Sequence, residues 1–106
     1  MKNIKQIYTF IFLANMYVQY LTEFFGSAIF IFVILTTQNP LIIGLTLALL
    51  LLIIQPFSKG YINPNVTISQ AILGQIPMNE VFPHILAQLL GALFIVEVYK
   101  RIYISL

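Results

Sequence analysis

The sequence predicts an all-α membrane protein with three membrane-crossing helices and one re-entrant half-helix, and three observations predict it. Of its 106 residues, 60% are hydrophobic and only 8% charged, with mean hydropathy +0.98; an ordinary soluble domain carries about a quarter charged residues. The apolar residues gather in runs suited to a hydrocarbon layer ~30 Å thick. Between two of those runs lies a polar turn, Ser58-Lys59-Gly60-Tyr61-Ile62-Asn63-Pro64-Asn65-Val66-Thr67, in which an Asn-Pro pair opens a short helix. Irregular backbone at membrane depth is tolerated only where it is buried or lines a cavity, so the turn points to a channel.

Residues 1–15 read as an interfacial or helix-leading segment. Lys2 and Lys5 stand ahead of an apolar run from Ile7 to Ala14, and no small-x-small cleavage site follows. Residues 16–106 form the remaining unit. Its first span covers about 17–37, carries Glu23 near its start and breaks at Gln38-Asn39-Pro40. The second, about 41–57, holds no charge and stops at Gln55-Pro56, where proline lacks the N–H that would continue the helix. A re-entrant loop and half-helix follow over about 58–74. The stretch Pro64 to Leu73 makes a helix of only ~15 Å at 1.5 Å per residue, half of what spanning requires. Gly74 and Pro77 end it, Met78-Asn79-Glu80 returns the chain to an interface, and the third span covers about 82–98, closed by Lys100-Arg101. Ala87, Gly91 and Ala92 on that span permit close helix approach.

The Asn-Pro pair has a direct physical reading. Asn is a preferred N-cap, and proline suits the first helical position because its missing N–H would have no partner there. Asn63 therefore caps the half-helix with Pro64 at its first position. The helix N-terminus carries about half a positive charge. Aimed inward, it repels cations, while a neutral hydroxyl can accept a hydrogen bond from the Asn63 amide. An interfacial loop followed by an N-capped amphipathic helix is the alternative reading of the same residues.

Other chemistries find little support. The chain has no cysteine for a disulfide or thiolate metal site, and its sole histidine, His84, belongs to no metal-ligand cluster. No nucleophile and base constellation suggests an enzyme. No phosphate-cradling glycine loop appears, so transport would be passive, with no cofactor. A net charge of +2 is too small to suggest a nucleic-acid partner.

These residues resemble the N-terminal half of the aquaporin and glycerol-facilitator (major intrinsic protein) family. Leu21-Thr22-Glu23-Phe24-Phe25-Gly26-Ser27 resembles its helix-one Glu and following small residues, with Gly26 and later Gly91 as helix-packing positions. Ser58 to Thr67 resembles its Ser-Gly-x-His-x-Asn-Pro-Ala-Val-Thr box, and Ala87-Gln88-Leu89-Leu90-Gly91-Ala92 matches its Ala-Gln-Leu-Leu-Gly-Ala run. The resemblance covers about residues 20–98. It implies an aquaporin-like half-repeat, with Asn63 as pore-facing donor, Pro64 at the midplane, and Glu23 and Gln88 as polar braces of the re-entrant loop. An intramembrane carboxylate is costly and rarely faces lipid; an interfacial anchor and a proton relay are the alternatives for Glu23.

Departures from the pattern bear on selectivity. Asn65 stands where the family usually has Ala, Lys59 and Gly60 replace Gly-x, and Tyr61 replaces His. Lys59 is either a vestibule cation or a lysine snorkelling to the interface. Ile43, before Gly44, occupies the helix-two position where the family commonly has a filter aromatic, and Val66 follows Asn65 where its second half carries the filter arginine. Two such halves would bring no arginine, leaving an apolar constriction that favours glycerol or another small neutral solute alongside water.

Channel folds of this kind pair two inverted repeats, and this sequence holds one. Lys2 and Lys5 at one end balance Lys100 and Arg101 at the other, with Lys59 the only tie-breaker, so the positive-inside rule sets no firm orientation. The leading expectation is an integral, multi-pass membrane protein whose pore forms from two oppositely inserted copies, an isologous antiparallel homodimer. The expected partners are lipid, the second copy, and water or a small neutral solute. A truncated half awaiting a complementary half-channel, and a non-conducting structural or regulatory subunit, are the alternatives.

Overall fold

The computed structural model describes residues 3–104, and among them the regular elements are four helices: α1 (Ile4–Thr36), α2 (Pro40–Ile54), α3 (Pro64–Ile72) and α4 (Met78–Tyr103). Helix α1 starts with a reciprocal cap. The Asn3 side chain accepts the Gln6 N–H at 2.9 Å, and the Gln6 side chain accepts the Asn3 N–H at 3.2 Å, which satisfies two donors that otherwise lack partners. The helix then runs unbroken for 33 residues, about 50 Å. No Gly or Pro lies between Ile4 and Phe25, so the chain set apart in the sequence as residues 1–15 is, from Ile4 onward, continuous with the first span.

Asn39 caps α2 by accepting the N–H groups of Leu41 and Ile42, with Pro40 at the first position. The helix ends at Ile54, three residues before the end of the apolar run, because the chain turns at Pro56; Phe57 and Ser58 both donate to the Ile54 carbonyl. At 15 residues, α2 is about 22 Å long. Helix α3 is capped by Asn63 and closed at Gly74, whose φ of +79° lets the Gln75 N–H return to the Gln70 carbonyl at 2.9 Å. Helix α4 is longer than the span expected from the sequence. Pro77 leads into it, Met78-Asn79-Glu80 form its first turn, and Pro83 lies in its second turn, where it has no N–H to offer the Asn79 carbonyl. Lys100 and Arg101 occupy its last turn, where cations oppose the helix dipole.

Both α1 and α4 are long and apolar enough to cross a bilayer, and the protein is an integral membrane protein. Ring pairs Tyr20–His84, Phe24–Phe94 and Phe32–Tyr103 follow in the same order along both helices, so α1 and α4 run parallel. They approach closely because Gly91 is bare: a Cβ there would collide with the Phe24 carbonyl oxygen. On the other side of α1, a Cβ at Gly26 would stand 2.6 Å from Ile54 Cδ1, which lets the end of α2 settle on α1. Leu50, Ile54 and Ile62 form a small core with Phe30, Leu47 and Leu51 against it. Helix α3 packs on α4, leaving Ile72 and Leu73 more than 70% exposed.

Candidate functional site

The turn between α2 and α3 is held from behind by one carboxylate. Glu23, fully buried on α1, accepts the Ile62 N–H at 2.9 Å and the Gln88 Nε2–H at 2.8 Å on Oε1, and the Ser58 hydroxyl at 2.9 Å on Oε2. Three donors converging on one carboxylate compensate for its removal from water. Ser58 Oγ in turn accepts the Gly60 N–H at 2.9 Å. Gln88 uses its second amide hydrogen on Thr67 Oγ1 at 2.8 Å, and Thr67 donates to the Asn63 carbonyl at 3.1 Å. One connected network therefore ties α1, α4, the turn and the start of α3 together.

That network holds a strained backbone. Ile62 is a β-branched residue at φ +63°, a conformation that costs on the order of 1–3 kcal/mol. Its N–H goes to Glu23, and its carbonyl accepts the Ser27 hydroxyl at 2.8 Å. Glu23 and Ser27, four residues apart on one face of α1, thus grip both polar groups of a single peptide-bearing residue. Gly60, at φ +71°, supplies the second left-handed bend without steric cost. With the N–H groups of Gly60 and Ile62 turned into the protein, no hydrogen bond among the described residues reaches the carbonyls of Lys59, Gly60 and Tyr61.

At the start of α3, Asn63 Oδ1 accepts the Asn65 N–H at 2.8 Å, which leaves the Asn63 NH₂ without a partner among the described residues on an exposed side chain. A cavity of about 180 Å³ lies in front of it, lined by Phe30 of α1, Leu47 and Leu51 of α2, and Gly60 through Asn63 with Val66. Its two walls differ in kind. The lining is mostly apolar: one wall is aliphatic and aromatic throughout, from Phe30, Leu47 and Leu51, and the other, from Gly60 to Asn63, holds its few polar groups.

Asn63, Tyr61 and Val66 are therefore brought together in this cavity, with Pro64 at the first position of α3 beneath them. Asn65 is exposed beside it, its side-chain amide unpartnered among the described residues. Glu23 and Gln88 lie behind the turn, and Gly26 and Gly91 at the two faces where α1 meets its neighbours. Two residues stand apart. Lys59 Nζ donates to the Gln75 carbonyl at 2.6 Å, just past the far end of α3, where a cation meets the negative end of the dipole. Ile43 is half-buried one turn beyond Leu47, outside the cavity lining.

Sequence reasoning passed over Ser27, Ser58 and Thr67 as individual ligands and His84 as a neighbour of the turn. Ser27 lies four residues after Glu23 and His84 four before Gln88, so helical spacing alone puts each on the face of a recognised brace. Leu47 and Leu51 give no such signal, because α2 is apolar all round and no face stands out, and Phe30 lies in an equally apolar stretch of α1.

This geometry, a capped short helix opened by Asn-Pro and tied to a buried helix-one glutamate, agrees with the comparison to known families. The major intrinsic protein family matches over residues 11–106. The chain belongs to the major intrinsic protein family. No solved structure matches it. Major intrinsic proteins are membrane channels rather than enzymes, and membership points to a channel for water or small solutes.

Proposed function

We propose that this chain is an aquaporin-like half-repeat, three spans and one re-entrant half-helix, that conducts water and small neutral solutes such as glycerol. The pore is completed by a second copy inserted in the opposite orientation. Parallel α1 and α4, with α2 lying between them in chain order, support a segment 55–77 that leaves and regains the same side of the membrane. The observation that carries the reading is the half-lined cavity, whose polar wall ends at the free Asn63 amide and the N-terminus of α3.

The division of labour follows from the two walls. Main-chain carbonyls of Gly60 and Tyr61 accept hydrogen bonds from a passing hydroxyl, and the Asn63 NH₂ donates one. Phe30, Leu47, Leu51 and Val66 offer nothing polar, so a solute keeps its bonds on one side only. A cation meets the positive end of α3 and is repelled, and with two copies it meets two such ends. Val66 and Ile43 bring no filter arginine, which favours glycerol passage beside water.

The second copy explains why the polar wall faces outward from a single chain. Asn63 and Asn65 are exposed at the mouth of α3, and an inverted copy sets its own α3 N-terminus against them. The absence of cysteine makes this directly testable. Asn65→Cys in the full chain, oxidised in membranes, should give a covalent dimer, because the two positions meet within the ~4–7 Å between α-carbons that a disulfide requires. Lys59→Cys, in the turn before α3 at a residue whose side chain runs toward the far end of that helix, should not. Monomer from both variants, with a C-terminal tag found on a single side of the membrane in all molecules, would overturn the antiparallel dimer. Covalent dimer from both would overturn it as well.

A further inference from the structure

His84 is fully buried and belongs to none of the machinery described above. Its ring meets the Tyr20 ring edge-on at 5.1 Å between centroids and lies 6.1 Å from the Tyr61 ring, tilted by 41°. Nδ1 lies 2.8 Å from the Glu80 carbonyl oxygen. A carbonyl can only accept, so Nδ1 carries a proton and the ring is pinned to its own helix. Nε2 is buried with no hydrogen-bond partner among the described residues, which is costly for a polar atom and unusual unless the site serves something.

What it faces is the one aromatic side chain of the cavity's polar wall. The Tyr61 backbone is fixed by its neighbours, with Gly60 and Ile62 both left-handed and Ile62 gripped from α1. Its side chain is only partly buried. The Tyr61 hydroxyl makes no hydrogen bond among the described residues, and the ring contact recorded for it is with His84. The imidazole, held by Tyr20 and the Glu80 carbonyl, is thus placed to limit how far the phenol projects into the 180 Å³ cavity.

The sequence adds an independent observation. Tyr61 stands where the box it resembles has histidine, and the sole histidine of the chain packs against that position from α4. We infer that His84 is a positioning residue for Tyr61, the two rings forming an interdependent pair that sets the bore of the cavity and with it the preference between water and larger solutes. This rests on the channel reading for its consequence, though not for the pairing itself.

The experiment compares the full-length chain with His84→Ala, Tyr61→His, His84→Tyr and the exchange Tyr61→His/His84→Tyr, each in liposomes, reading the ratio of glycerol to water permeability. A merely structural role would lower both permeabilities together and leave the ratio unmoved. The pair predicts that His84→Ala, which lets the phenol fall back, raises the ratio roughly threefold or more, that each single exchange shifts it comparably, and that the double exchange restores it. A ratio unchanged in His84→Ala, or a double exchange equal to the product of its singles, would overturn the pairing. Should the unaltered chain pass neither solute, the channel reading fails, and the pair is judged by thermal unfolding in detergent: recovery of the midpoint in the double exchange supports it, and additive losses overturn it.

Discussion

The seam between α1 and α4 and the packing of α2 are built on opposite terms. In the seam, bare Gly91 brings the backbones together, and Glu23, Gln88, Ser58, Thr67 and Ser27 share a single hydrogen-bonded network. Each member is fixed by a specific hydrogen bond to another part of the chain. Helix α2 contributes leucines and isoleucines, no side-chain hydrogen bond to the rest of the described residues, and an outward surface on which Leu52 is 70% exposed. Lipid solvates such a surface at no cost, so its residues need only be apolar. The seam carries specificity and α2 supplies bulk.

Four substitutions would break or sharpen this contrast, in order of expected effect. Gly91→Leu drives a side chain into the Phe24 carbonyl and should destabilise by about 3 kcal/mol or more, seen as loss of the folded species by size-exclusion chromatography in detergent. Glu23→Ala leaves the Ile62 N–H, the Ser58 hydroxyl and the Gln88 amide unpaired and should cost about 3 kcal/mol, measured as a lowered unfolding midpoint together with fast amide exchange over residues 58–62. Ser27→Ala frees only the Ile62 carbonyl and should cost about 1 kcal/mol, with Ser27→Thr recovering it. Leu52→Val on the exposed face of α2 should change stability by less than about 0.5 kcal/mol. A Leu52 effect as large as that of Glu23 would erase the distinction between the two regions.

Legibility in the sequence divides along the same line. Asn63 and Pro64 were readable because capping chemistry is local, and the same rule holds at Asn39-Pro40 and at Asn3. Glu23 and Gln88 stood out because a polar residue in an apolar helix demands a partner, although helical spacing alone does not name it. Helix ends were less legible: α4 begins four residues earlier than expected and α2 stops three sooner, since hydropathy reports solvent rather than hydrogen bonding. Ile62 was invisible. Nothing local suggests a left-handed isoleucine, and only the grip of Glu23 and Ser27 from 39 and 35 residues away explains it. The cavity wall from Phe30, Leu47 and Leu51 was hidden for the opposite reason, because every neighbour is equally apolar.

The most direct test is the osmotic response of liposomes that contain this chain alone, followed by stopped-flow light scattering, with Asn63→Ala and Glu23→Ala beside it. A complete pore built from two copies predicts shrinkage faster than in empty liposomes, slowed in Asn63→Ala and lost in Glu23→Ala. Volume change no faster than in empty liposomes, from protein verified as folded and inserted in both orientations, would contradict it.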